Sequence, residues 1–245
     1  MEKREAALSD QKQSEQFMAL QASYNGISPQ IAAPLSRAHP GAVVLGRATI
    51  GARAQLGAFS VIRADGHTVD IGDDFFLGPR ATVHIAHDIY PTRIGQNVTA
   101  GAGAVVHACD VGDDCVIGDG AVILDGSSLA AGVVLDANAV VFPRSTLEAG
   151  KRYAGAPAKP VGTVTQTERD AIRAQVRHDA ELAEMTVSAQ PQTLDCFVAP
   201  SARLNGEIKV GEGVGIWYGC VLNANAHTIS IGPVSYTHLT LPTIA

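Results

Sequence analysis

The chain is poor in aromatic side chains and in charge, and it lacks any long apolar run. Aromatic residues make up 5% and charged residues 17% of its 245 positions. Because no apolar stretch approaches the ~20 residues that cross a bilayer, and no apolar signal core begins the chain, we expect neither a membrane span nor secretion. A net charge of −6 without a basic cluster argues against a nucleic-acid surface. We therefore expect a cytoplasmic protein.

Paired cysteine motifs are also absent. The four cysteines are scattered and have no metal-ligand spacing, so we interpret them as reduced structural thiols: Cys109, Cys115, Cys196 and Cys220. What the chain does contain is an excess of small aliphatic residues. Side chains of this size suit a narrow interior better than a wide globular core.

A six-residue repeat runs from Val44 to Val141. One position of each repeat is aliphatic, and glycine often follows it. A short fixed period with glycine at turn-competent points is typical of a parallel β-helix, in which each repeat is one short strand and three repeats close a coil. The aliphatic positions are Val44, Ile50, Leu56, Ile62, Ile71, Leu77, Val83, Ile94, Ala100, Val106, Val111, Ile117, Ile123, Leu129, Leu135 and Val141. The sequence thus predicts an all-β solenoid with these side chains inside.

Interruptions of the period all fall at one corner of the predicted coil. The spacing rises to nine residues after Ile62, rises to eleven after Val83 and falls to five after Val106. Insertions that collect on one edge of a solenoid usually mark its functional edge. The residues just before that corner are, from coil to coil, Arg63, His84, His107 and Leu124. Since neighbouring coils lie about 4.8 Å apart, we expect His84 and His107 to be stacked neighbours.

Segments on either side of the repeat have a different composition. Residues 1–37 are rich in Glu, Gln and Lys, so we expect a mobile or loosely helical extension before a β-helix over 38–162. A helix and linker are expected over 163–190, with the helix from about 166 to 184. Thr165 and Glu168 there have capping-box spacing. The face that we expect to pack consists of Ile172, Val176, Ala180 and Ala183.

A second copy of the repeat follows the helix. A shift of 160 residues aligns Ile50 with Val210 and Ile71 with Ile231, and it reproduces the nine-residue gap. We therefore predict the first coils of a second, incomplete β-helix over residues 191–232. Residues 233–245 break the rhythm, and their VSYTHLTLPT resembles a translated sequencing-library adapter, so we expect a truncated copy with a foreign tail. A genuine β-strand tail is the alternative.

The first copy resembles the γ-class carbonic anhydrases, a branch of the hexapeptide-repeat proteins. The matching segments are Arg63-x-Asp65, the V-H-x-x-H of Val83 to His87, the V-H-x-C of Val106 to Cys109, and the exit from Tyr153 to Pro160. The resemblance implies a left-handed β-helix, against the usual right-handed crossover, and a homotrimer with zinc sites at the subunit seams. It also implies that Arg63 and Asp65 belong to an ion pair between subunits at the seam and serve assembly.

The same resemblance implies that His84 and His107 are two of three zinc-binding histidines. The family's third histidine falls on Ala102, whose methyl group has no lone pair to donate. The family's glutamine and its acidic neighbour fall on Gly78 and Pro79. We therefore expect a site that is one ligand short, with zinc binding weak or lost.

Several interpretations of this degenerate site stay open. His87 is a candidate substitute ligand, with a solvated loop histidine as the alternative reading. For the function, we favour an anhydrase-like protein kept as a trimeric scaffold or a bicarbonate-related module. One alternative is an active zinc-dependent carbonic anhydrase in the intact tandem protein. The other is a coenzyme A-dependent acyltransferase in which His84 or His107 acts as general base.

Overall fold

The six-residue repeat folds as predicted into a parallel β-helix. The computed structural model describes residues 19–32, 37–39, 41–185, 194–198, 203–216, 220–233 and 236–237. The chain divides into two compact units, Met1–Glu181 and Leu182–Ala245. In the described part of the chain, no helix is both long enough and apolar enough to cross a membrane.

Three faces of short strands form the first unit, and strands stack in register within each face. The first face consists of β1 (Leu20–Ala22), β4 (Val43–Ile50), β6 (Val61–Ile71), β8 (Thr82–His84), β11 (Val105–His107), β14 (Val122–Ile123) and β17 (Val140–Val141). The second face consists of β2 (Gln30–Ile31), the later halves of β4 and β6, β9 (Thr92–Ile94), β12 (Asp110–Val111), β15 (Ser128–Leu129) and β18 (Thr146–Leu147). β4 and β6 thus pass around the corner between these faces.

The third face is a sheet of its own. It consists of β3 (Arg37–Ala38), β5 (Gln55–Leu56), β7 (Phe76–Leu77), β10 (Thr99–Ala100), β13 (Val116–Ile117), β16 (Val134–Leu135), β19 (Lys151–Ala154) and β20 (Lys159–Thr163). The β19–β20 pair is antiparallel, whereas the other pairs of this face are parallel. The architecture is the expected all-β solenoid, consistent with left-handed winding.

The interior of the coil is built from the aliphatic positions of the repeat. All sixteen predicted positions from Val44 to Val141 are buried. Each stacks on its counterpart one coil away, as Ile62 does on Val83 and Val83 on Val106. Burying one such side chain contributes about 1.5–3 kcal/mol. Truncation of Ile62 to alanine would leave a cavity at a cost of about 2–5 kcal/mol.

Glycine after the aliphatic position allows neighbouring coils to approach closely. A Cβ atom added at Gly78 would lie 2.6 Å from the carbonyl carbon of Gly101 in the next coil. Backbone atoms cannot yield as a flexible side chain can, so a larger residue at Gly78 requires the coil itself to shift.

The β-helix begins earlier than the repeat indicated. Residues 19–32 fall within the expected extension, yet β1 and β2 pair with β4, and Ile31 lies opposite Ile50. Ala38 on β3 lies opposite Leu56 and is buried. The small side chain of Ala38 and the seven-residue step from Ile31 hide this coil in the sequence. Residues 1–18 lie outside the described residues, so their expected mobility stays a prediction.

Helix α1 spans Gln166–Met185, close to the expected bounds. The predicted capping box is confirmed, because the Thr165 amide donates to Glu168 Oε2 at 2.8 Å and the Glu168 amide donates to Thr165 Oγ1 at 3.3 Å. These bonds satisfy backbone N–H groups that have no partner within the helix.

The buried face of α1 is only in part the expected apolar one, of which Ala180 is buried. Arg169 and Arg173 are buried, whereas Ile172 and Val176 are only partly buried. The helix covers the third face of the coil, where Arg177 lies 5.3 Å above the Phe76 ring. The long aliphatic stems of the arginines cover apolar surface while their head groups reach acceptors on the coil. The side chain of the fourth expected residue, Ala183, lies outside the described residues.

The second unit reproduces the start of the first. Its strands are β21 (Phe197–Val198), β22 (Arg203–Val210), β23 (Gly215–Ile216), β24 (Val221–Ile231) and β25 (Tyr236–Thr237). The β22–β24 pair has a register shift between Gly206 and Ile208, and the β4–β6 pair has one between Gly46 and Ala48, 160 residues earlier. β25 pairs with β23 although it lies in the expected foreign tail. The origin of that tail stays a prediction.

Candidate functional site

Three strands of the first face end at the corner where the repeat is interrupted. Arg63 on β6 lies opposite His84 on β8, and His84 lies opposite His107 on β11. The two imidazole rings are stacked, with centroids 5.3 Å apart and planes inclined by 30°. The two histidines are therefore stacked neighbours, as expected. Both rings are partly buried, so they sit at the edge of the coil and not inside it.

Arg63 and Asp65 are bonded to each other within the chain. Arg63 Nε donates to Asp65 Oδ2 at 2.7 Å, and a second guanidinium nitrogen contacts the same oxygen. The other carboxylate oxygen, Oδ1, is buried and has no hydrogen-bond partner among the described residues. It lies 3.6 Å from His84 Nε2, which is too long for a hydrogen bond but close enough for an electrostatic interaction.

The surroundings keep both imidazoles neutral. Burial lowers the pKa of His84, the charges of Arg63 and His107 lower it further, and Asp65 partly opposes them. Burial likewise lowers the pKa of His107, against the charge of Asp125. Burial alone would raise the pKa of Asp65, but the Arg63 hydrogen bond and charge hold it below its usual value. At neutral pH the corner therefore offers two imidazole lone pairs beside a carboxylate.

A buried hydroxyl that the sequence analysis missed lies directly behind the pair. Thr92, the first residue of β9, donates from Oγ1 to the His84 carbonyl oxygen at 2.5 Å. The Ala108 amide, directly after His107, donates to Thr92 Oγ1 at 3.0 Å. The sequence gives a single signal for Thr92, a hydroxyl at a buried position two residues before an aliphatic position. The previous coil has Val69 at the equivalent position.

His87 lies in the loop after β8 and is not part of the stacked histidine pair. Its ring lies against Gly66, where an added Cβ atom would come within 1.9 Å of His87 Nδ1. Its Nε2 is 3.4 Å from Asp88 Oδ2, and its side chain is 65% exposed. This exposure favours a solvated loop histidine over a substitute ligand.

The position of the family's third histidine lies at a different corner of the coil. Ala102 follows β10, whereas His107 ends the next strand, β11. The Ala102 amide donates to Asp119 Oδ1 at 2.8 Å, and its side chain is a methyl group. Within one chain, residue 102 therefore cannot complete the histidine pair. Only a neighbouring copy could bring the two positions together.

The donor set does not fit a three-histidine zinc site. The described residues contain no group of three or more His, Cys, Asp or Glu side chains that could hold a metal ion. His84 and His107 supply two neutral imidazoles, and a structural or catalytic zinc site needs at least three protein ligands. Gly78 and Pro79, at the family's glutamine and acidic positions, supply no polar side chain either.

Comparison with known proteins gives matches in the same part of the chain. The family model for the bacterial transferase hexapeptide (six repeats) matches residues 91–125, and that for the hexapeptide repeat of succinyl-transferase matches residues 109–143. Both stretches lie within the coils described above.

The curated relatives include plant carbonic anhydrases. Mitochondrial γ carbonic anhydrase 2 of Arabidopsis thaliana is 29% identical over 161 residues, or 64% of this chain and 58% of the relative. Mitochondrial γ carbonic anhydrase 1 of the same plant is 30% identical over 161 residues, again 64% of this chain and 58% of the relative. The chain thus spans about three-fifths of the length of these relatives.

Solved structures give the fold. A hexapeptide transferase family protein from Anaplasma phagocytophilum superposes with a TM-score of 0.58 at 24% identity, covering 68% of this chain and 97% of that one. This likeness supports the β-helix and carries no information on activity. The repeat models and the plant relatives show that the chain is similar, over part of its length, to hexapeptide-repeat proteins and to γ carbonic anhydrases.

Proposed function

We propose that this chain is a γ-carbonic-anhydrase-like protein with a degenerate zinc site, retained as an assembly scaffold or a bicarbonate-related binding module. One observation carries the proposal. His84 and His107 are stacked on neighbouring strands, as two zinc ligands would be, while position 102 holds alanine. Two neutral imidazoles bind a divalent ion more weakly than three, because each ligand lost leaves one position to water.

The proposal includes a homo-oligomer, with a trimer as the expected form. The Arg63–Asp65 pair lies at the interrupted corner, and Asp65 Oδ1 is a buried carboxylate oxygen without a hydrogen-bond donor among the described residues. A buried charge is costly unless it is paired and hydrogen-bonded. A donor from a second copy at this edge would satisfy it. Analytical ultracentrifugation of the chain tests this part: a trimer supports it and a monomer contradicts it.

Zinc content and CO₂ hydration together test the proposed function. We expect the chain, after dialysis against a chelator, to retain no zinc and to hydrate CO₂ hardly above the uncatalysed rate. Retention of about one zinc per chain with clear hydration would overturn the proposal. Such a result would favour the second candidate, an active anhydrase in the intact tandem protein. Its zinc would then have a further ligand in addition to the two histidines.

A third candidate is acyl transfer from coenzyme A. Two observations favour it. The two transferase repeat models together match residues 91–143, and the carboxylate of Asp65 lies beside His84. A carboxylate that orients a neutral imidazole is a common arrangement for a general base. Tritium-labelled acetyl-coenzyme A, incubated with the chain and a panel of amine and hydroxyl acceptors, tests it by transfer of label.

The cytoplasmic location expected from the sequence is likewise a proposal. The plant relatives are named as mitochondrial. Fractionation of the source cells, followed by immunodetection of the chain, would decide between the cytoplasm and another compartment.

A further inference from the structure

The loop between His84 and Thr92 closes on one buried hydroxyl. Thr92 is 0% exposed. Its Oγ1 donates to the His84 carbonyl oxygen and accepts from the Ala108 amide. The same amide also donates to the His84 carbonyl oxygen, at 2.9 Å. Together these three contacts connect His84 to Ala108, the residue that directly follows His107.

The backbone at Ala108 depends on these acceptors. Ala108 has a φ of +50°, in the left-handed region that L-residues rarely adopt. The corner after Val106 is the shortest at this edge, so the chain must turn directly after His107. A strained residue keeps its conformation only where its surroundings hold it. Thr92 Oγ1 and the His84 carbonyl oxygen are the acceptors that hold the Ala108 amide.

The hydroxyl is not needed to fill the coil. Val69 lies opposite Thr92 one coil earlier and is also fully buried. Valine has nearly the shape of threonine without the hydroxyl, so packing alone would be served by valine at both positions. Burying a hydroxyl is costly unless it is hydrogen-bonded. Here both of its bonds go to the backbone beside the histidine pair.

We propose that Thr92 is a positioning residue for the histidine pair. Its hydroxyl fixes the His84 backbone against Ala108 and thereby sets the stacking of the His84 and His107 rings. The purpose of this stacking rests on the proposed function, but the stacking itself can be measured without metal. If Thr92 acted only by packing through its methyl group, removing the hydroxyl would leave the ring geometry unchanged.

Three variants of the full chain separate these roles. Thr92→Val removes the hydroxyl, and Thr92→Ser keeps it. Thr99→Val is the matched control, because Thr99 is also fully buried and its Oγ1 accepts from Arg177 Nε at 2.9 Å, away from the histidines. Should Thr92→Val fail to fold, Thr92→Cys keeps the volume with a weaker donor.

The first measurement is metal-free NMR on histidine-labelled protein. We expect Thr92→Val to weaken the cross-relaxation between the His84 and His107 rings and to speed hydrogen exchange of the Ala108 amide by about fivefold, the equivalent of one ordinary hydrogen bond. Thr92→Ser and Thr99→Val should leave both signals as in the parent. Unchanged ring contacts in Thr92→Val, or an equal loss in Thr99→Val, would overturn the proposal.

The second measurement is zinc binding in an Ala102→His background. Loss of a group that orients a metal ligand typically weakens binding about 10–100-fold, so Thr92→Val should lower the zinc affinity by about tenfold and Thr92→Ser should restore it. If Ala102→His gains no zinc affinity, the proposed function fails, while the ring contacts still decide the role of Thr92. Equal zinc affinity with and without the hydroxyl would contradict a positioning role.

Discussion

Arg169 donates two hydrogen bonds to one oxygen of Asp114, from Nε at 2.9 Å and from Nη2 at 2.6 Å. Arg169 lies on α1 and Asp114 lies on the coil, so this ion pair attaches the helix to the third face. Arg173, one turn further along α1, contacts the second carboxylate oxygen of Asp114. A single carboxylate therefore contacts two guanidinium groups that are about nine-tenths buried, and Arg173 also contacts Asp170.

Asparagine at position 114 should destabilise the helix contact strongly. Removing one partner of a buried ion pair leaves the other charge uncompensated, at a cost of about 3–5 kcal/mol. We expect Asp114→Asn to fall near the lower value, because Asp114 is 23% exposed. Urea unfolding measures the loss. Asp110→Asn is the control, since its ion pair with Arg93 is mostly exposed and should be worth at most about 1 kcal/mol. Equal effects of the two variants would refute the assignment.

The contribution of Asp114 should also disappear in acid. Burial alone would raise the pKa of Asp114, but hydrogen bonding from Arg169 and the charge of Arg173 lower it below the usual 3.8. A carboxyl with a lowered pKa in the folded state stabilises the fold above its unfolded pKa and loses this effect as pH falls through the folded value. The stability difference between the parent and Asp114→Asn should be constant near neutral pH and shrink below about 3.8. A difference that grows in acid would contradict this sign.

Close approach of the coils should make position 78 intolerant of any side chain. The Cβ atom of Gly78→Ala would lie 2.6–2.8 Å from backbone atoms of Gly101 and Ala102, so we expect a loss of about 1–3 kcal/mol. Gly162→Ala is the control, because no atom of the described residues lies within 4 Å of its Cβ position, and it should change stability by less than about 0.5 kcal/mol. Thermal unfolding compares them. If Gly78→Ala left stability unchanged, the coil would be able to shift at this position. It could then accept the family's glutamine there.

The repeat was enough to predict the coil and the corner, because each six-residue unit has to bury the same aliphatic position. Register then follows from counting, and this is why the stacking of His84 and His107 could be expected from residues 23 apart in the sequence. The capping box at Thr165 was predictable for a similar reason, since it depends only on local spacing.

The arginine face of α1 and the role of Thr92 could not be predicted in this way. A helical pattern identifies Ile172 and Val176 as the packing face unless the acceptor on the opposite surface, Asp114, is known. Thr92 occupies a position that valine fills equally well, so its hydroxyl acquires meaning only from the carbonyl and amide that lie beside it. In both cases the polar partners lie in different repeats or outside the repeat. The repeat predicts which side chains are buried, but it gives no information about which polar groups meet.

Restoring the third ligand should strengthen zinc binding. Ala102→His adds an imidazole at the position that a neighbouring copy would bring to the pair, so we expect the zinc dissociation constant to fall by at least tenfold. Ala102→Phe is the control, since it adds a ring of similar size without a lone pair, and it should leave zinc affinity unchanged. Competition with a chromophoric chelator measures both. An equal gain in the two variants would indicate a general effect of bulk.

The most direct test is the number of imidazoles around zinc in the unmodified chain. Zinc-edge X-ray absorption, with protein in large excess over metal, counts histidine ligands from their multiple-scattering signals. The account predicts two imidazoles per zinc in the unmodified chain and three in Ala102→His. Three imidazoles in the unmodified chain would contradict the degenerate site and would assign a further histidine, such as His87, to the metal.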